Sequence, residues 1–234
     1  MSDKAGQALT PDFFTRDMAE SYDAKNSKLA AISENMHFLV RLVLEDLPSR
    51  ARVLCVGVGT GAEILSLAHA FPEWTFVGVD PSAAMLDVCR ARLERDGVLQ
   101  RCELVHGYVG DTPEGAEFDA VVSILVAHFV SRAHRSAFYR TIHSRLKAGG
   151  CFVSTEISFD LDSAAFPGML ENWKRVQGLM GATPESLRAL PEVLRDTLSV
   201  VSPEETGGLL KGAGFNLPVE FFQAFMIRGW YAKK

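Results

Sequence analysis

The chain has 234 residues, 47% of them hydrophobic and 23% charged, a balance that excludes disorder along the whole chain and can build a sizeable core. Lys plus Arg number 24 against 29 Asp plus Glu, a net charge of −5; this is the wrong sign for gripping phosphate backbones by bulk electrostatics, although a local basic patch stays open. Residues 1–20 hold no apolar run and no stretch reaches the roughly 18 residues of a spanning helix, so neither a secretory signal nor a membrane contact is expected. Cys55, Cys89, Cys102 and Cys151 lack C-x-x-C spacing, which speaks against a metal site or a disulfide framework and fits a reducing cytoplasm.

Residues 11–47 carry Leu29, Ile32, Met36, Leu39, Val40, Val43 and Leu44 at three- and four-residue spacing, which predicts a helix stopped by Pro48. Arg52 to Val58 is a short continuous apolar run, as in a strand buried on both faces. Gly57, Gly59 and Gly61 then turn the chain into a helix over 62–71. The rhythm repeats: strand 75–79, helix 82–95, strand 102–106, strand 118–126, helix 132–146 broken at Gly149 and Gly150, and strand 151–157. Such alternation predicts a doubly wound, mostly parallel sheet covered on both faces. Residues 160–201 read as helical without an intervening strand, with Trp173 more often core than substrate platform on its apolar stripe. After a helix over 203–213, two β-type runs at 218–224 and 226–232 lie almost back to back and predict an antiparallel pair, so that the last strand of an otherwise parallel, Rossmann-like sheet is antiparallel. The sum is an α/β sheet of seven strands in one domain spanning 1–234: a helical lid over 1–50, a core over 51–159, a helical insertion over 160–202 and a final unit over 203–234.

The glycine loop sits where a strand ends and a helix opens, so the backbone can approach a ligand closely. Asp80 ends the second strand, 23 residues beyond Gly57, where a carboxylate can accept hydrogen bonds from ribose hydroxyls. The bland alternative uses the glycines for packing alone, with Asp80 as an N-terminal cap before Pro81. A nicotinamide cofactor also fits the glycine spacing.

Four motifs carry a family resemblance: Val53-Leu-Cys-Val-Gly-Val-Gly-Thr-Gly61, Val77-Gly-Val-Asp-Pro-Ser82, Phe118-Asp-Ala-Val-Val-Ser123 and Leu146-Lys-Ala-Gly-Gly150. In order and placement they resemble the class I S-adenosylmethionine-dependent methyltransferases, over about residues 50–234. The resemblance implies S-adenosyl-L-methionine as cofactor, Gly57, Gly59 and Gly61 near its methionine part, Asp80 at the ribose, Met85 near the adenine and Tyr108 bordering it, with Pro81 and Val109 also among the cofactor-binding residues. Two positions depart from the family: Cys55 stands where an acid is usual, and Tyr108 where an Asp often follows glycine, with Asp111 a substitute three residues on.

Methyl transfer from a sulfonium needs alignment and desolvation more than a catalytic triad, with base help only for a weakly acidic acceptor. Ligands of open parallel sheets lie at the carboxyl ends of the strands. That rule nominates Ser123 at the cofactor and His128 and Glu156 as catalytic candidates. Against this, His128 beside Phe129 reads as a packed residue, and Glu156 equally as an inward strand residue paired with an amide or an Arg. Arg16 and Tyr22 could reach the cofactor carboxylate or the acceptor, and the run from His134 to Lys147 reads as a solvated basic face.

Cys151 to Phe159, Lys211 to Phe215 and Phe221 to Phe225 resemble the carboxymethyltransferases of the transfer RNA wobble uridine. That branch implies a carboxylated cofactor held by Arg or Lys, for which Lys174, Arg175, Arg188 and Arg195 are the cations available. The acidity of the chain weighs against transfer RNA. The expected function is therefore methyl transfer to a small-molecule acceptor. Carboxymethyl transfer to transfer RNA and a non-catalytic cofactor-binding module are the alternatives, and a homodimer is admitted.

Overall fold

The computed structural model describes residues 24, 26–112, 114, 115 and 117–234. Helix α1 (Ala30–Leu44) buries Met36, Val40 and Leu44 at four-residue spacing. Strand β1 (Arg52–Val56) leads through the glycine turn into α2 (Ala62–Ala70). Next come β2 (Thr75–Asp80), α3 (Ala83–Arg95) and β3 (Cys102–His106), followed by β4 (Phe118–Ile124), α4 (Arg132–Arg145) and β5 (Leu146–Ile157). Helices α5 (Phe166–Leu179) and α6 (Pro184–Glu192) follow β5. The chain ends with α7 (Pro203–Gly212), β6 (Asn216–Ala224) and β7 (Ile227–Lys233).

The seven strands form one sheet in the order β3-β2-β1-β4-β5-β7-β6. β7 runs antiparallel to both its neighbours, β5 and β6, so the last strand is the antiparallel one, as expected. It lies one place in from the edge, and the outermost strand β6 again points with the parallel set.

The continuous apolar runs are strands because each alternates its side chains between two helix layers. Val53 and Cys55 of β1 meet α1, α2 and α3 through Val40, Ile64 and Leu93. Leu54 and Val56 meet α4 and α7 through Phe138, Ile142 and Leu210. A third core joins α1, α5, α6 and the β6–β7 hairpin through Met36, Trp173, Leu190, Phe222 and Ile227. Trp173, 2% exposed, is core.

Several boundaries differ from the sequence reading. β5 begins at Leu146 rather than Cys151, because Leu146 already pairs with Phe118 before the register shifts and Ala120 meets Cys151. The predicted helix over 160–201 is two helices parted at Gly181, whose φ is +89°, followed by a widened helical turn over Val193–Thr197. No helix among the described residues is long and apolar enough to cross a membrane.

Candidate functional site

The order of the sheet reverses beside β1, whose neighbours are β2 and β4, and a crevice opens there at the carboxyl ends of the strands. The glycine loop fills one wall. Gly57 and Val58 both donate backbone N–H bonds to the Val79 carbonyl, at 2.8 and 3.1 Å, and tie the loop to β2. Gly57 has φ +66°, and a Cβ there would lie 2.4 Å from Val126 Cγ2. Gly61 has φ +82°, and its Cβ would meet Cys89 Sγ at 2.7 Å. Only glycine meets both requirements, a left-handed backbone and no side chain.

Asp80 completes the loop. Its Oδ2 accepts the Gly59 N–H at 2.9 Å and its Oδ1 accepts the Ser82 N–H at 2.8 Å. The cap of α3 is Ser82, whose hydroxyl accepts the Met85 N–H at 3.3 Å, so the capping alternative for Asp80 falls. Burial raises the pKa of Asp80, while the bonds from Ser82 and Gly59 oppose the rise. Each carboxylate oxygen has two acceptor sites, so both keep capacity for a hydroxyl of a ligand. Further along the rim, the Pro81 carbonyl meets His106 Nε2 at 2.9 Å and the Tyr108 N–H donates to Asp111 Oδ2 at 2.8 Å. Asp111 thus shapes the loop beside Tyr108. Met85 and Val109 are buried beneath this rim, at 2% and 5% exposure.

On the β1–β4 side the crevice widens into a cavity of about 380 Å³ between the glycine loop and α1. Its lining includes four residues that sequence reasoning missed: His37 of α1, Glu63 of α2, Arg92 of α3, and Leu125 after β4. Leu125 has φ +57°, a left-handed conformation costing about 1–2 kcal/mol in a side-chain-bearing residue. It is held by bonds from its N–H to the Thr155 carbonyl and hydroxyl at 2.8 and 3.1 Å. Strain of this kind concentrates where function constrains the backbone. His37 is lowered to about 4, chiefly by burial and secondarily by Arg41, and is neutral at pH 7. Glu63 is pushed up to about 8, first by burial; its own N–H opposes the rise, Asp80 adds to it, and Arg92 opposes it. Arg92 donates to the Thr60 carbonyl and hydroxyl at 3.1 and 2.8 Å. In the sequence, an acid in the first turn of a helix reads as a dipole-favoured surface residue, and a His beside an apolar stripe reads as its border.

The proposed catalytic pair lies elsewhere. Glu156 is fully buried and binds Arg135 Nη1 through Oε2 at 2.5 Å. Its Oε1 accepts from the hydroxyls of Thr206 and Tyr139 at 2.9 and 3.3 Å. Arg135, read as part of a solvated face, is also fully buried and donates to the Ser199 carbonyl at 2.6 Å. Arg145 of the same run is 8% exposed, bound to Thr112 and Gly110. His128 is 3% exposed, its Nδ1 accepts the Ile157 N–H at 3.3 Å, and burial with Arg135 lowers it to about 3. Neither His128 nor Glu156 faces the cavity, because their inward pairing and packing use the groups a substrate would need. Ser123 is likewise fully buried: strand alternation turns it away from the cavity that its neighbour Ile124 lines. Arg16 and Tyr22 lie outside the described residues.

Comparison with known proteins follows the same geometry. The family described as "Methyltransferase domain" matches residues 53–150. The curated carboxy-S-adenosyl-L-methionine synthase of Campylobacter curvus is 27% identical over 171 residues, 72% of this chain and 71% of that protein. The enzyme of the same name from Methylococcus capsulatus is 25% identical over 185 residues, 78% of this chain and 76% of that protein. Among solved structures, PigF with SAH aligns at TM-score 0.67 and 21% identity, covering 94% of this chain and 60% of that one. An O-methyltransferase family protein from Burkholderia thailandensis aligns at TM-score 0.64 and 15% identity, covering 91% and 59%. The chain spans about three fifths of the length of these solved structures, and the likeness is one of fold. Residues 53–150 match a methyltransferase domain, and the chain has the fold of the S-adenosylmethionine-dependent methyltransferases.

Proposed function

We propose that the chain transfers the methyl group of S-adenosylmethionine to a small-molecule acceptor seated between the glycine loop and α1. The observation that carries this is the cavity: about 380 Å³, with the glycine loop on one wall and α1 on the other, through Ile32, Ser33, Glu34, Met36 and His37. Sites of this kind typically hold small ligands in about 300–1,000 Å³. Gly57, Gly59 and Gly61 let the methionine part approach, while Asp80 receives the ribose and Met85, Tyr108 and Val109 border the adenine. When bound, the cofactor supplies an electrophilic methyl group on a sulfonium. The work left to the protein is to align an acceptor lone pair with it and to exclude water. His37, neutral at pH 7, can accept a hydrogen bond from an acceptor hydroxyl and fix its direction. Its low basicity suits positioning rather than proton removal. Incubation with methyl-labelled S-adenosylmethionine and a panel of phenols, amines and carboxylic acids, read by mass spectrometry, tests the reading; cofactor binding without transfer to any member counts against it.

A second reading comes from the curated relatives, which are named carboxy-S-adenosyl-L-methionine synthases. A carboxylated cofactor adds an anion that calls for an Arg or Lys. Among the described residues lining the cavity, Arg92 is the one guanidinium, and it is bonded to Thr60, while Glu34 and Glu63 are acidic. Lys174, Arg175 and Arg195 bind Glu171, Asn172 and Asp162 at the surface, and Arg188 is exposed. The charge of the cavity favours ordinary methyl transfer, and the same argument applies to carboxymethyl transfer to transfer RNA. Mass spectrometry of the cofactor retained by the purified protein separates them: a carboxylated sulfonium supports the second reading.

A further inference from the structure

The amino-acid end of S-adenosylmethionine carries an ammonium group, which in a site closed from water requires a carboxylate beside it. Asp80 at the end of β2 fixes the ribose side, so an extended cofactor crossing the glycine loop directs its amino-acid end toward the β1–β4 cavity. Near the end of β1 stands the fully buried Cys55, a thiol that burial and Glu63 together keep protonated. Among the described residues, two carboxylates line the cavity, Glu34 and Glu63. Glu34 is exposed and remains hydrated. Glu63 is 6% exposed and sits in the first turn of α2, directly after the glycine loop. Among the described residues, no side chain of another residue hydrogen-bonds or ion-pairs with it; Arg92, the nearby guanidinium, binds Thr60.

We propose that Glu63 receives the ammonium group of the cofactor, supplying from α2 the negative charge that Cys55 of β1 does not. The assignment rests on the glycine loop holding the cofactor and is independent of which acceptor is methylated. Among the described residues no cation hydrogen-bonds or ion-pairs with Glu63, although Arg92 acts on it electrostatically; the ammonium makes it one half of a buried ion pair. Among the described residues, the groups around it are Cys55 on β1, Asp80 on β2, Cys89 and Arg92 on α3, and His37 and Glu34 across the cavity on α1. With its pKa up to about 8 in the empty site, Glu63 is mostly protonated at pH 7. Pairing ionises it, and binding therefore releases a proton to the buffer.

Calorimetry with S-adenosylhomocysteine and its des-amino analogue tests the proposal, since both lack the sulfonium and differ only in the ammonium. Wild-type protein should release about one proton per S-adenosylhomocysteine bound at pH 7, seen as a binding enthalpy that changes with buffer ionisation enthalpy, and none with the des-amino ligand. Glu63→Gln should weaken S-adenosylhomocysteine by roughly ten- to hundred-fold, as for a charge-assisted bond, and leave the des-amino analogue unchanged, while Glu34→Gln leaves both unchanged. Equal weakening of both ligands, unchanged S-adenosylhomocysteine affinity in Glu63→Gln, or binding without proton release would each overturn it. The wild-type measurements decide the matter even if Glu63→Gln folds poorly. Failure of wild-type protein to bind S-adenosylhomocysteine at all would instead refute the cofactor reading.

Discussion

Removing the carboxylate of Glu156 should damage stability far more than chemistry. The side chain is fully buried in β5 and answers three groups: the Arg135 guanidinium at 2.5 Å and the hydroxyls of Thr206 and Tyr139 at 2.9 and 3.3 Å. In Glu156→Ala, Arg135 keeps the Ser199 carbonyl at 2.6 Å and a long bond to the Val130 carbonyl at 3.4 Å, but its charge has no counterion. Breaking a buried pair from one side costs about 3–5 kcal/mol, because the remaining charge is desolvated and uncompensated. Against a total stability of about 5–15 kcal/mol, that is about a fifth or more. Replacing both partners, as in Arg135→Met with Glu156→Leu, leaves no orphaned charge and should recover most of the loss. Urea unfolding measures this as a lowered midpoint at unchanged slope, and calorimetry on the folded fraction should show cofactor affinity within about twofold of wild type. If Glu156→Ala lost less than 1 kcal/mol of stability while methyl transfer collapsed, the structural assignment would be wrong and the residue would act on the acceptor.

Asp80→Ala should weaken S-adenosylmethionine by about 1–3 kcal/mol, since it removes the carboxylate that accepts the Gly59 and Ser82 N–H groups and that is proposed to receive the ribose; titration calorimetry reads the change. Gly57→Ala places a Cβ 2.4 Å from Val126 Cγ2 at φ +66° and should cost at least about 1–2 kcal/mol of stability in thermal or urea unfolding, together with cofactor binding. The low pKa of His37, about 4, means that it stays neutral from pH 6 to 8; His37→Ala should lower turnover without removing any inflection in that range, and loss of an inflection near pH 7 would contradict it. Glu63 binds a proton in the folded apo state that the unfolded chain releases, so unfolding free energy falls as pH rises from about 4.5 toward about 8. Glu63→Gln should flatten that slope and leave the apo protein more stable at pH 8.

The alternation of apolar runs with helical stripes made the doubly wound sheet legible, because a strand buried on both faces must be apolar at every position, as Val53 to Val56 are. The glycines and Asp80 were legible for a related reason. A left-handed turn against Val126 and Cys89 admits only glycine, and a carboxylate at the end of β2 is placed by local chain geometry alone. The antiparallel pair was legible from the short connection between β6 and β7, whereas the insertion of β7 between β5 and β6 follows from packing across the sheet.

What could not be read locally was the partner of each buried polar group. Glu156 admitted both an acceptor role and an internal ion pair, and Arg135, 21 positions away in sequence, settled the choice by crossing from α4 to β5. His128 was a candidate base that also read as a packed residue beside Phe129, and its Nδ1, meeting the Ile157 N–H, fits the packed reading. Conversely, His37 and Glu63 carried no local mark, because a titratable side chain acquires its character from burial, and burial is set by elements far apart in the chain. The sequence alone determined the scaffold and the glycine loop, since both depend on backbone conformation and on patterns a few residues long. The tertiary structure decided which polar groups stand in the cavity and which are sealed behind it, since desolvation and charge pairing exist only once α1, α2 and the sheet have come together.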